Sequence, residues 1–205
     1  MESLDVSRCE FVCNESIVPT KRNCFSLLEL NFAQSNISNE ILVEILQKTP
    51  LLQFLNLAGT KVEKSGIEKI LFLDKLESLN MSFCDKQVVE CSIYQNHFEK
   101  HGKFLPSLLL ANFVAIEEMK DDLLEIFSKS CFLLNTIHLS KCADITDKTI
   151  DLISNLPIIL ISVNETQITK EKSISLINKK PNILIHCPAK WEKMGVLSIV
   201  NAKKN

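Results

Sequence analysis

Glycine and proline are scarce in this 205-residue chain, at four and six residues. That scarcity argues against long loops, low-complexity linkers and disorder. The glycines stand at 59, 66, 102 and 195, too scattered to build a loop that cradles phosphate. Charge of neither sign dominates: 23 Lys+Arg against 25 Asp+Glu leave a net −2. Nothing in that balance pulls the chain globally towards nucleic acid or an anionic membrane. No apolar run approaches the ~20 residues of a membrane span. Residues 1–10 show no basic stretch followed by an apolar one, so no signal peptide is visible. The eight cysteines therefore read as reduced thiols in a cytoplasmic or nuclear protein. In that setting the sequons starting at Asn14, Asn36, Asn80 and Asn164 are chance matches.

What the chain has is apolar content, 46% of residues, and a repeat. Residues 2–9, Glu-Ser-Leu-Asp-Val-Ser-Arg-Cys, return as Glu-Ser-Leu-Asn-Met-Ser-Phe-Cys at 77–84. The central apolar pair recurs as Leu4/Val6, Leu30/Phe32, Leu55/Leu57, Leu79/Met81, Leu108/Leu110, Ile137/Leu139, Ile161/Val163 and Ile185/Cys187, at offsets of 26, 25, 24, 29, 29, 24 and 24. An apolar residue precedes most pairs by three positions: Leu27, Leu52, Leu76, Leu105, Leu134 and Ile158, with Asn182 the exception. A small or buried-type residue follows by three: Cys9, Ser35, Thr60, Cys84, Phe113, Cys142 and Thr166. The frame L-x-x-L-x-L-x-x-(C/S/T) is the leucine-rich-repeat signature.

Alternating apolar residues give a short strand with one buried face. A helical period follows each turn. Ser38, Thr146 and Thr169 offer N-cap hydroxyls with acidic residues in the first turn. Pro50, Pro157 and Pro181 mark the return to the next strand. The expected fold is an α/β solenoid, a horseshoe with a parallel concave sheet and convex helices. Residues 1–187 form the array of about eight strand copies, the first incomplete, and 188–205 a C-terminal cap and tail. Leu4 and Val6 already hold core positions, so a covering partner or a further segment is expected at that edge.

Residues 131–147, Cys-Phe-Leu-Leu-Asn-Thr-Ile-His-Leu-Ser-Lys-Cys-Ala-Asp-Ile-Thr-Asp, resemble the cysteine-containing repeat C-x-x-L-x-x-L-x-L-x-x-C-x-x-I-T-D. Ile137 replaces the one leucine that differs, while Cys24, Cys9 and Cys84 fill cysteine positions of other copies. This subtype is similar to the repeat region of F-box/LRR proteins, the substrate-recognition subunits of SCF ubiquitin ligases. It is also similar to antagonist-of-mitotic-exit-network proteins, which lack an F-box. The resemblance implies a protein-binding module and protein partners, SCF components among them. No L-P-x-E-type F-box opening occurs in the chain, and the fourth copy replaces I-T-D with Asp85-Lys-Gln-Val-Val89. A structural or assembly scaffold, or an enzyme regulator unrelated to ubiquitin, is the alternative.

The remaining constellations point away from chemistry. Cys84, Cys91, His97 and His101 lack the tight knuckle of a zinc site and read as a turn residue plus histidines on one helix face. Cys9 and Cys13 read likewise. His138 and His186 sit on outward strand positions with no carboxylate orienter in view. No catalytic residue, metal or cofactor is expected. Lys203-Lys204 reads as a solvated terminus, and the ring of Trp191 as a cover over the open core end, with partner contact as the other reading.

Strand alternation gives three outward lanes. The first runs Ser3, Glu29, Phe54, Ser78, Ser107, Thr136, Leu160, Leu184; the second Asp5, Asn31, Asn56, Asn80, Leu109, His138, Ser162, His186. The third runs Ser7, Ala33, Ala58, Ser82, Ala111, Ser140, Asn164. With one Asp and one Glu and no Lys or Arg, the lanes disfavour nucleic acid. Phe54, Asn56, Asn80, Leu109 and His138 form the expected partner-binding patch.

Overall fold

A computed structural model describes residues 2–9 and 25–188. Cys13, Cys24, Trp191, Lys203 and Lys204 lie outside the described residues, as does nearly all of the expected C-terminal cap. Eight three-residue strands form one parallel sheet in sequence order: β1 (Ser3–Asp5), β2 (Glu29–Asn31), β3 (Phe54–Asn56), β4 (Ser78–Asn80), β5 (Leu110–Asn112), β6 (Thr136–His138), β7 (Leu160–Ser162) and β8 (Leu184–His186). From β2 onwards, helices fill the connections: α1 (Asn39–Leu46), α2 (Lys64–Ile70), α3 (Cys91–His101), α4 (Asp121–Ser130), α5 (Asp147–Ile153) and α6 (Lys170–Lys179), with a 3-10 turn, Lys86–Val89, ahead of α3. This is the α/β leucine-rich-repeat solenoid.

The core is a stack of rows, one residue per repeat. Leu30, Leu55, Leu79, Ala111, Ile137, Ile161 and Ile185 are in register and buried. Phe32, Leu57, Met81, Phe113, Leu139, Val163 and Cys187 form a second buried row. Each fully buried Leu or Ile contributes about 1.5–3 kcal/mol, and every row has a neighbour on both sides except at the ends of the array.

The turn leaving each strand repeats one conformation. Arg8, Gln34, Gly59, Phe83, Ala115, Lys141 and Glu165 all have φ between 56° and 68°. Six of these seven are not glycine, so the turn accepts left-handed strain that glycine alone avoids. The following position closes the turn. Ser35, Thr60 and Thr166 donate their hydroxyls to the carbonyls of Phe32 (2.7 Å), Leu57 (2.6 Å) and Val163 (2.9 Å) in their own repeats. The cysteines reach back instead: Cys84 Sγ donates to Leu57 O and Cys142 Sγ to Phe113 O, both at 3.1 Å. Burial pushes both thiols above their usual range, which keeps them protonated donors. Cys9, with no preceding repeat among the described residues, is exposed.

Ser38, Thr146 and Thr169 cap their helices through side-chain oxygens, as their positions predict. The residue after the cap also reaches forward to the next repeat. Asn39 Oδ1 accepts the Glu63 N–H at 3.1 Å, and Asp147 accepts the Thr169 N–H (2.7 Å) and hydroxyl (2.8 Å). Asp121, buried, accepts the Thr146 N–H (3.1 Å), the Thr146 hydroxyl (2.6 Å) and the Thr149 hydroxyl. This gives the Ile-Thr-Asp motif a physical role. Thr146 caps its own helix and binds backwards, and Asp147 binds forwards.

One part of the sequence frame is wrong. It placed Leu108/Leu110 in the core and Leu109 and Ala111 on outward lanes. The register instead pairs Leu79 with Ala111 and Asn80 with Asn112. Backbone bonds from Met81 N to Asn112 O (2.9 Å) and Phe83 N to Val114 O (2.8 Å) agree. The two spacings around this strand are therefore 32 (79 to 111) and 26 (111 to 137), not 29 and 29. Leu105-x-x-Leu108-x-Leu110 imitates the signature, but the 3-10 turn and α3 lengthen the connection, and Leu105 packs as a loop residue at φ 44°. The small Ala111 is offset by Phe113, whose ring meets Phe127 edge-on at 5.5 Å. Tyr94, Phe104 and Phe127 complete an aromatic cluster with centroids 5.2–5.9 Å apart.

Candidate functional site

The sheet face away from the helices forms a shallow groove of ≈ 390 Å³ across β1–β6. Four of the five expected patch residues, Phe54, Asn56, Asn80 and His138, line it; Leu109 does not. Leu109 lies one residue before β5 and is half-buried. Its N–H donates to Glu77 O, and its carbonyl accepts the N–H groups of Asn135 and Thr136. The corrected register puts Leu110 in the first lane, Asn112 in the second and Val114 in the third. The apolar residues on the groove's outward lanes are then Phe54, 43% exposed, and Leu110, half-buried.

The second lane begins Asp5, Asn31, Asn56, Asn80, Asn112. The asparagines do not chiefly satisfy one another. Each Oδ1 accepts the backbone N–H two residues on: Ala33, Ala58 and Val114 at 3.1 Å, Ser82 at 3.0 Å. Asp5 does the same with Ser7 at 2.8 Å. This Asx-turn bends the chain out of the strand, so the lane's composition has a structural cause. Asn31 Nδ2 also bridges to Asp5 at 3.0 Å. Among the described residues the Nδ2 groups of Asn56, Asn80 and Asn112 have no hydrogen-bond acceptor, which leaves outward amide donors along the groove floor. The Ser7 backbone N–H, the Ser7 hydroxyl and Asn31 hold the Asp5 carboxyl below its usual range, so it stays charged.

Towards the C-terminal end, His138 and His186 replace the asparagines. His138 Nδ1 lies 3.2 Å from the Ser162 hydroxyl. Burial, and then the neighbouring His186, keeps His138 below the ordinary imidazole pKa. The pair has the outline of a nucleophile and its base. However, Ser162 is only 5% exposed, and no carboxylate contacts His138 among the described residues. The repeat spacing already sets these two side by side in the second lane, 24 residues apart on adjacent strands.

On the helical side, the His97 and His101 rings lie 4.6 Å apart and tilted, with Phe72 edge-on to them at 4.7 and 5.0 Å. Cys84 does not join them, since its thiol is committed to Leu57 O. Among the described residues no three His, Cys, Asp or Glu side chains are grouped to hold a metal ion. No helix among them is long and apolar enough to cross a membrane.

No protein-family profile matches the sequence, and no curated protein matches it. Solved structures do match the fold. A leucine-rich-repeat protein of Leptospira interrogans superposes with a TM-score of 0.50 at 15% identity, over 90% of this chain and 60% of its own. An internalin from Listeria monocytogenes gives 0.48 at 12% identity, over 90% of this chain and 60% of its own. A Bacteroides fragilis protein gives 0.48 at 17%, over 85% and 59%. The chain thus spans about three fifths of the structures it matches. Eight parallel strands in sequence order, with helices stacked behind them and the Leptospira likeness, make the chain a leucine-rich-repeat solenoid.

Proposed function

We propose that this chain is a protein-recognition module that engages its partner on the concave sheet and performs no catalysis itself. The observation that carries the reading is Phe54. A large aromatic side chain stands 43% exposed within a groove floored by amide donors. An apolar anchor ringed by hydrogen-bonding groups is the usual make-up of an interface centre. Burial keeps the Cys84 and Cys142 thiols protonated, which disfavours either as a nucleophile.

The finer reading follows the Cys131–Asp147 motif: the substrate- or partner-recognition part of an F-box/LRR-type ubiquitin ligase system in the cytoplasm or nucleus. Affinity capture with mass spectrometry, run on the native chain and on Phe54→Ser, tests both levels. Recovery of cullin and the Skp adaptor supports the ligase reading. A stable complex without them supports a scaffold, and a single enzyme supports a regulator. Phe54→Ser should weaken binding to the captured partner by about 1–3 kcal/mol with an unchanged melting temperature. Unchanged affinity would move the site to the helical face.

A further inference from the structure

The groove is polarised along the array. Among the described residues its charged side chains are Asp5 on β1 and Glu29 on β2, and no Lys or Arg lines it. Glu29 and Phe54 are register partners on adjacent strands, so their backbones lie about 5 Å apart across the sheet and both side chains rise from the same face. Neither carboxylate has an ion-pair partner among the described residues. Arg8, the cation nearest to Asp5 in sequence, stands in the left-handed turn beyond β1 and pairs with neither. Beyond Phe54 come the outward amides of Asn56, Asn80 and Asn112, then Leu110 and His138.

We infer that the partner of this groove is an extended protein segment carrying a Lys or Arg two or three residues from an apolar side chain. The cation sits at Asp5 and Glu29, and the apolar side chain sits against Phe54. This rests on the protein-binding reading above and adds the partner's chemistry and direction. Carboxylates at one end of a groove whose described lining holds no cation favour a positive group over a neutral or negative one. An extended backbone crossing the strands presents carbonyls to the asparagine Nδ2 donors, which a helix, with its carbonyls already bonded, does not. The spacing agrees, since one to two strand separations of about 5 Å each match two or three extended residues.

Selection of a random peptide display library on the full chain tests this, followed by titration of the enriched peptides. The variants are Phe54→Ser and the double change Asp5→Asn with Glu29→Gln. Asparagine already closes the same turn in four other repeats, so the double variant keeps its fold, as melting curves verify. The expected peptides carry Lys or Arg within three residues of an aromatic or aliphatic residue. They lose about ten-fold or more affinity on the double variant and also on Phe54→Ser. Uncharged apolar peptides that need Phe54 but ignore the double change would overturn the cationic partner and leave the concave-face reading standing. Peptides insensitive to every variant would overturn both. Failure to enrich any peptide would overturn the extended-segment occupant.

Discussion

Two stretches of the array reach the same stacked geometry by different means. From α4 to α6, polar links join each helix to the next. Asp121 binds Thr146 and Thr149, and Asp147 binds Thr169. On either side of β4, the opening residues of α2 and α3, Lys64 and Cys91, make no such forward bond among the described residues. Aromatic packing takes over there, with Tyr94, Phe104, Phe127 and Phe113 interlocked and the Ser130 hydroxyl bonded to both N and O of Phe104 at 2.6 and 2.7 Å. A solenoid needs each repeat to grip its neighbour, and either directional hydrogen bonds or buried ring area supplies that grip.

The sharpest way to break the comparison is to remove one member of each grip. Phe127→Ala takes out the ring that touches Tyr94, Phe104 and Phe113, and should cost about 3–5 kcal/mol by denaturant titration. Asp121→Ala leaves the Thr146 N–H and two hydroxyls without their acceptor, at a cost of about 1–3 kcal/mol. Asp121→Asn, which keeps one acceptor oxygen, should recover part of that loss. If Asp121→Ala costs as much as Phe127→Ala, polar and aromatic grips are equal and the contrast fails.

Protonation distinguishes the regions more gently. Burial, then His101, holds His97 below the ordinary imidazole pKa, and burial, then His186, does so for His138. Both rings favour the neutral form in the fold. Their contribution is fully present above the unfolded value of about 6.5 and is lost as pH falls below it, where the unfolded chain takes up protons the fold resists. Melting temperature should therefore decline below about pH 6.5, before most carboxylates titrate. The His97→Gln with His138→Gln double variant should flatten that decline, and an unchanged profile would contradict it.

The smallest expected effect has the opposite sign. Ala115 sits in the left-handed turn at φ 56°, so Ala115→Gly should relieve strain. It should leave the protein unchanged or more stable by up to about 1 kcal/mol, whereas Gly substitution inside α4 should destabilise.

Much of this was legible in the sequence, because most copies repeat one chemical pattern. The buried rows, the caps at Ser38, Thr146 and Thr169, and the outward placement of Phe54, Asn56, Asn80 and His138 follow from period and residue type. The fifth copy was misread because leucines at 105, 108 and 110 carry the apolar signal, while Ala111, the true core residue, carries almost none. The better marker was polar. Asn31, Asn56 and Asn80 each follow a core leucine, and Asn112 continues that line. Asp121 was also missed as a link, since an acidic residue in a first helical turn already has a sufficient local reason to be there.

The Asx-turns have a consequence for how the molecule ages. Hydrolysis of a side-chain amide turns Asn56, Asn80 or Asn112 into aspartate. At these positions the atom the fold needs is Oδ1, which a carboxylate also supplies, as Asp5 does on β1. Such damage would pass unnoticed by the scaffold, yet each event would remove an outward donor and add a negative charge to the groove. Melting curves and ion-exchange profiles of aged protein would separate the two: folding preserved, and the recognition surface rewritten.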